Sequence, residues 1–254
     1  MKNLFEVIHE SADLLVVNKP AGLVCHPTKT DEYSSLIGRV RLYLGKEARP
    51  HLVNRLDRET SGVVIVAKNP ETAGQLGKIW ESRSVQKEYL AIVHGHVLDS
   101  HGLIDAALGR DEQSSIAIKD CVRVDGAAAQ TEFWLKTRLE ADLSAKGSKF
   151  TLLRVVPRTG RKHQIRIHLA HMGHPLVGDK LYGGDQDLYM ALVEDRLTPA
   201  QKGKLIFSHH ALHARSLRFV WRDCECFFEA EPEEWFSDFI SNPSRQIQGN
   251  KTAR

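Results

Sequence analysis

Cysteine is scarce in this chain: Cys25, Cys121, Cys224 and Cys226 are its four thiols. A disulfide scaffold of this size would carry more, and a structural zinc site would present C-x-x-C pairs. Cys224 and Cys226 stand two apart, which in a strand places both on one face. All four read as ordinary thiols, and a reducing, cytoplasmic setting is the expectation. No run approaches the ~20 apolar residues of a membrane span. The opening MKNLFEVIHESADLLVV also lacks the basic leader, apolar run and small-residue cleavage site of an export signal. His168, His171 and His174, and later His209, His210 and His213, cluster in sequence, but H-E-x-x-H is absent and His174 lies beyond Gly173, off the expected helix, so no metal is expected. There is no P-loop and no G-x-G-x-x-G after a strand, which argues against a nucleotide cofactor. Repeats of 20 to 50 residues and low-complexity linkers are missing too.

Charge of one sign is missing in two places. From Ala145 to Gly178 there is no acid, while Lys146, Lys149, Arg154, Arg158, Arg161, Lys162 and Arg166 all occur. From Asp223 to Asp238 there is no base among seven acids. Either stretch can be a solvated face; the basic one can equally bind phosphates, with salt-dependent affinity. The net charge of +3 does not by itself signal a nucleic-acid partner.

What is present fits an ordinary globular chain: 42% apolar and 26% charged residues in a length of 254. Asp13–Asn18, Gly62–Ala67, Lys87–Val93, Gln130–Leu139 and Phe150–Val156 read as strands, with another near Cys226–Ala230. Leu36–Leu44 has helical spacing. Glu71–Trp80 reads as a helix with Asn69 as cap and Pro70 in the first position. Arg161–Met172 reads as a helix capped by Thr159, ended by Gly173, with Ile165, Leu169 and Met172 as its buried stripe. Leu188–Leu205 is expected to be helical in part. Strict β-α-β alternation is absent, which points to α+β with a largely antiparallel sheet.

Three constellations could carry chemistry. Asn54-Arg-Leu-Asp-Arg-Glu-Thr-Ser-Gly62 is a polar loop leading into a buried strand, the kind of place where catalytic groups sit. Asp57 stands between Arg55 and Arg58, and a cation within ~4–6 Å would hold it ionised; the same spacing suits a turn with a surface ion pair. Pro157-Arg-Thr-Gly-Arg-Lys-His-Gln-Ile-Arg166 gathers cations at a helix start, which attracts anions whether or not a ligand is there. Tyr89 lies on the third segment, Lys87–Val93, where a lone strand tyrosine suits a core equally well.

Taken in order, these segments resemble the RluA family of pseudouridine synthases from Leu15 to about Phe219. Val17-Asn-Lys-Pro-Ala-Gly22 is similar to the family's first motif, and Arg55-Leu-Asp-Arg-Glu-Thr-Ser-Gly62 to its catalytic motif. Lys87–Val93 matches the tyrosine strand. Thr159–His168 and Gly173–Gly183 match the long C-terminal motif, and His210–Ala214 the late histidine segment. One position departs: the family usually has histidine before the catalytic-loop arginine, and here it is Asn54.

The resemblance implies a pseudouridine synthase catalytic fold over residues 1–240, with a mixed central sheet, flanking helices and a central RNA-binding cleft. A polar tail would follow over 241–254, and no separate N-terminal RNA-binding domain is expected. It implies isomerisation of specific uridines in structured ribosomal or transfer RNA, without cofactor or metal, by a monomer. Asp57 would be the ionised catalytic carboxylate, attacking sugar or base or assisting elimination. Arg166 would pair with Asp57, and Tyr89 would lie against the uracil. Arg55 would fill the gap left by the flipped uridine, and Ile165 would wall the base pocket. Lys19, Arg158, Arg161 and Lys162 would contact phosphates. The alternative is an inactive RNA-binding protein of the same fold.

Overall fold

The computed structural model of this protein describes residues 5–27, 34–45, 47–141, 148–184 and 187–243. Lys146 and most of the polar tail, from 244 on, lie outside them. In chain order the elements begin β1 (Glu6–Glu10), β2 (Leu14–Lys19), α1 (Leu36–Leu44), β3 (His51–Leu52), β4 (Ser61–Ala67), α2 (Pro70–Glu81) and β5 (Gln86–His94). They continue β6 (His101–Asp105), β7 (Leu108–Arg110), β8 (Asp120–Val122), β9 (Gln130–Ala141), β10 (Ser148–Pro157) and α3 (Gln164–His171). The last are α4 (Asp187–Val193), α5 (Pro199–Leu205), β11 (Leu212–Trp221), β12 (Cys224–Glu229) and α6 (Glu234–Ser241). The class is α+β; the pairs β1–β2, β2–β4, β3–β4, β6–β9, β7–β8, β9–β10 and β11–β12 are antiparallel, while β11 meets β4 in parallel.

The chain forms two compact units interleaved in sequence, residues 1–89 with 213–233 and residues 90–212 with 234–254. In the first, β4 is the axis. Its seven residues Ser-Gly-Val-Val-Ile-Val-Ala are all buried, as an apolar run covered on both faces should be. One edge of β4 pairs along its length with β2; the other pairs with β11 at Ser61–Gly62 and with β3 at Val66–Ala67. Alternate β4 residues feed two cores: Val63 and Ile65 pack with Leu76, Leu217 and Phe219, and Val64 and Val66 with Leu15, Val17, Leu36 and Val40. Asn69 accepts the Thr72 N–H at 2.9 Å and Pro70 opens α2, the capping that the sequence predicts.

In the second unit β10 pairs with β9 and β9 with β6, while β7 and β8 form a separate ribbon. Phe150, Leu152, Phe207, Phe236 and Phe239 build its main core. The helix expected from Arg161 starts later, at Gln164, and Thr159 does not cap it. The Thr159 hydroxyl instead accepts the Gln130 N–H at 3.0 Å and donates to Gln164 Oε1 at 2.7 Å, so residues 158–163 are drawn into a turn against β9. Gly173 ends the helix as expected, with φ at +85° and the His174 N–H returning to the Leu169 carbonyl at 2.9 Å. Ile165 and Leu169 are buried; Met172 is only half-buried.

Candidate active site

The loop carrying Asp57 belongs to the first unit, and nearly every part of it is tied down. Asn54 donates from Nδ2 to the Val63 carbonyl at 3.1 Å and accepts the Ile65 N–H on Oδ1 at 2.8 Å. Those backbone groups face the β4 edge between its β11 and β3 partners, so the carboxamide supplies the rungs that no strand provides there. A carboxamide presents donor and acceptor side by side, which suits this use. The position where the family usually has histidine is thus occupied by a side chain turned onto β4. Next, the Leu56 carbonyl and N–H both meet the buried Cys25 Sγ at 3.4 Å. The Arg58 carbonyl accepts the Gly22 N–H at 2.9 Å, and Arg58 Nε donates to the Gly22 carbonyl at 3.3 Å. Finally the Thr60 N–H closes on the Asp57 carbonyl at 3.2 Å.

Lys19 lies under this loop and corrects an expectation. Its side chain is wholly buried, and its ammonium donates to the carbonyls of Leu23 at 2.8 Å, Pro20 at 2.9 Å and Arg58 at 3.2 Å. Three donors on three internal acceptors leave nothing for a phosphate. Burial pulls the ammonium down to about 8, against the upward pull of Cys25, Glu233 and Asp57. Asp57 is half-buried and Arg55 exposed. Tyr89, also half-buried, has its hydroxyl pushed above the usual tyrosine value by burial and by the negative charge of Asp57. The first unit therefore brings Lys19 and Tyr89 each within electrostatic reach of Asp57.

The other candidates belong to the second unit. Ile165 and Arg166 are both buried on α3. Arg166 donates from Nε to Asp179 Oδ2 at 2.8 Å and from Nη2 to Oδ1 at 3.0 Å, a two-bond fork, and its guanidinium lies 5.0 Å from the Tyr182 ring centre. Burial pushes the Asp179 carboxyl up, but Arg166, His210 and the Tyr182 N–H overcome this and hold it below the usual carboxylate range. Asp179 Oδ1 also accepts the N–H groups of Leu181 at 2.9 Å and Tyr182 at 3.0 Å. Arg158, Arg161 and Lys162 are exposed, as phosphate contacts must be. Each also has a protein partner: Glu132 at 2.8 Å, the Ala128 carbonyl at 3.1 Å and Asp120 at 2.9 Å, respectively.

Three histidines serve as internal struts. His168 bridges the Thr131 hydroxyl at 2.8 Å and the Ala106 carbonyl at 2.9 Å, and His174 donates to the His94 carbonyl at 2.8 Å. His213 lies between the Ser61 hydroxyl and the Ala230 carbonyl, 2.9 Å from each. Sequence reasoning gave Asp179, Tyr182, Cys25 and His213 no role, although Asp179, Tyr182 and His213 stand inside quoted motifs.

A family model for RNA pseudouridylate synthase matches residues 13–171. The dual-specificity RNA pseudouridine synthase RluA of Vibrio parahaemolyticus is 34% identical over 250 residues, covering 97% of this chain and 93% of that protein. An RNA pseudouridine synthase of Aquifex aeolicus, described as uncharacterized, is 37% identical over 241 residues, covering 92% of this chain and 72% of its own. The solved structure of human RNA pseudouridylate synthase domain containing 1 superposes with a TM-score of 0.69 at 27% identity, covering 91% of this chain and 84% of that one. The matches of the family model to residues 13–171 and of a relative over 93% of its length lead to one assignment: this chain belongs to the RluA family of RNA pseudouridine synthases, isomerases that form pseudouridine in RNA.

Proposed function

We propose that Asp57 is the reacting carboxylate and that the substrate is a uridine exposed in structured ribosomal or transfer RNA. The observation that carries this is the loop itself: Asp57 is half-buried, its neighbours' backbone is pinned to Lys19, Gly22 and Cys25, Asn54 ties the loop's start to β4, and the charge of Asp57 is felt by Tyr89. A group held this way needs little reorganisation at the moment of reaction.

In the reaction the N1–C1′ bond breaks, the uracil turns, C5 bonds to C1′ and the C5 hydrogen leaves. The uridine must first leave its stack, which costs a few kcal/mol and least in loops. Ionised Asp57 can act as nucleophile on sugar or base, or assist elimination at the sugar. Tyr89, kept as a neutral phenol, can hydrogen-bond the base and relay the C5 proton. Arg166 is the counter-charge assigned to Asp57, Ile165 the pocket wall, and Arg55 the side chain that occupies the vacated stack. Arg158, Arg161 and Lys162 take phosphates, exchanging their present partners for them. Lys19 supports the loop and touches no RNA.

Tritium release from transfer and ribosomal RNA transcripts labelled at uracil C5 tests this, because the new C5–C1′ bond expels that hydrogen. Wild-type protein should release tritium, and Asp57→Asn should bind the same RNA and release none. Near-normal release by Asp57→Asn would refute the carboxylate assignment. No release by wild type from either RNA would favour a substrate outside those pools or an inactive binder.

A further inference from the structure

We propose that His213 is a positioning residue for the isomerisation: it holds the Ser61 hydroxyl and thereby fixes where the Asp57 loop joins β4. The proposal rests on the reading of Asp57 given above. His213 is wholly buried, with Nε2 2.9 Å from the Ala230 carbonyl and Nδ1 2.9 Å from Ser61 Oγ. A carbonyl only accepts, so Nε2 carries the hydrogen, and Nδ1 is left as a lone pair to which Ser61 donates. Ala230 thus sets the tautomer that receives Ser61. Burial pulls the imidazole down to about 4, so it stays neutral at ordinary pH.

The parallel contact between β4 and β11 has only two rungs, Ser61–His213 and Gly62–Ala214. The second leaves no tolerance: Gly62 has φ at +116°, and a Cβ there would lie 2.2 Å from the Ala214 carbonyl oxygen. The first is the polar lock. Ser61 is itself buried and directly follows the turn closed from Thr60 N–H to the Asp57 carbonyl. The loop thereby has an anchor at each end, Asn54 before Asp57 and Ser61–His213 after it. Six residues lie between the two anchors' positions in sequence, so slack at either end bears on the short segment that carries the carboxylate. A displacement near 1 Å at a reacting group can cost on the order of a hundredfold in rate.

Two amide replacements separate positioning from support, because the asparagine oxygen reaches the Nδ1 position while the glutamine nitrogen reaches the Nε2 position. His213→Asn therefore keeps the acceptor for Ser61, and His213→Gln keeps only the bond to Ala230. Release from the labelled transcripts should show kcat about tenfold or more lower in Ser61→Ala and His213→Gln, with KM within about twofold of wild type. His213→Asn should keep most of kcat, and Ser61→Ala/His213→Gln should be no slower than either single change. Arg215→Met removes a 2.6 Å bond to the same Ala230 carbonyl without touching Ser61, so it should lower Tm and leave kcat unchanged. The proposal is overturned by a Ser61→Ala kcat within twofold of wild type, by His213→Gln matching His213→Asn, or by kcat following Tm across the set, Arg215→Met included. Ser61→Ala, the smallest change, decides the matter if the His213 variants do not fold. Asp57→Asn run alongside separates the two claims. If it is inactive while Ser61→Ala is normal, only the positioning fails; if it turns over normally, the reading of Asp57 fails.

Discussion

The Arg166–Asp179 pair allows a stability prediction that can be worked from its geometry. Both partners are buried, with the Asp179 side chain fully covered and 9% of the Arg166 side chain exposed, and two parallel bonds of 2.8 and 3.0 Å join them. Asp179→Asn keeps an oxygen for the Leu181 and Tyr182 N–H groups but removes the negative charge from the two-bond fork that the buried Arg166 guanidinium makes. Breaking a buried pair from one side costs about 3–5 kcal/mol. At roughly 2–4 °C per kcal/mol for a chain of this size, Tm should fall on the order of 10 °C. Arg166→Met should cost a comparable amount, and the double variant should lose less than the sum, with a coupling of about 1–3 kcal/mol. The pH dependence carries a second signature. A carboxyl held below its unfolded value near ~3.9 gives stability that is complete above that pH and lost as pH falls towards the folded value. Urea unfolding between pH 5 and 2.5 should therefore show a steep acid loss in wild type that is shallower in Asp179→Asn. A Tm within 2 °C of wild type, or an unchanged acid slope, would refute the argument that this pair is a tightly coupled buried ion pair.

Lys19 predicts a rise of stability with pH at the alkaline end as well. Its ammonium titrates near about 8 in the folded protein against 10.5 ordinarily, so between those values the unfolded chain holds more protons and stability rises with pH. Urea unfolding at pH 7.5, 9 and 10 should show this rise in wild type and not in Lys19→Met. Asn54→Ala orphans the Ile65 N–H and the Val63 carbonyl and should cost about 1–3 kcal/mol, with kcat reduced and RNA affinity retained; weakened RNA binding would mean that Asn54 reads the substrate after all. Gly62→Ala places a methyl 2.2 Å from the Ala214 carbonyl oxygen at a φ that disfavours side chains, so it should yield little folded protein, measured as soluble yield and far-ultraviolet circular dichroism.

Much of the fold was legible because its signals are local. Asn69-Pro70 states the start of α2, the apolar run of β4 needs no partner to be recognised, and Gly173 marks the end of α3. The elements that were missed lack such signals. β1 is Glu-Val-Ile-His-Glu with mostly exposed side chains, β7 and β8 are three residues each, and α6 is a short amphipathic helix of 8 residues whose Phe236 and Phe239 only make sense once a core exists to receive them. The start of α3 was misplaced because Thr159 has a better use than capping: its hydroxyl and Gln164 together hold Gln130 of β9, which is remote in sequence. Local propensity was outvoted there by tertiary hydrogen bonding.

The same division explains what the sequence could say about the site. The roles expected of Asp57, Tyr89 and Arg166 came from the resemblance, which rests on the order of the motifs along the chain; residue type alone suited a surface turn or a core equally well. Order along the chain cannot distinguish a lysine that meets a phosphate from one that props a loop; Lys19 was assigned outward and lies inward, because only the folded backbone shows three carbonyls converging on its ammonium. Asn54 follows the same logic. Its residue type beside Arg55 departs from the family pattern, and only the fold shows that both ends of its carboxamide are spent on Val63 and Ile65. The loop around Asp57 is held largely by side chains that bond to backbone rather than to other side chains. Such contacts depend on where the chain passes, and no pattern of residue types records that.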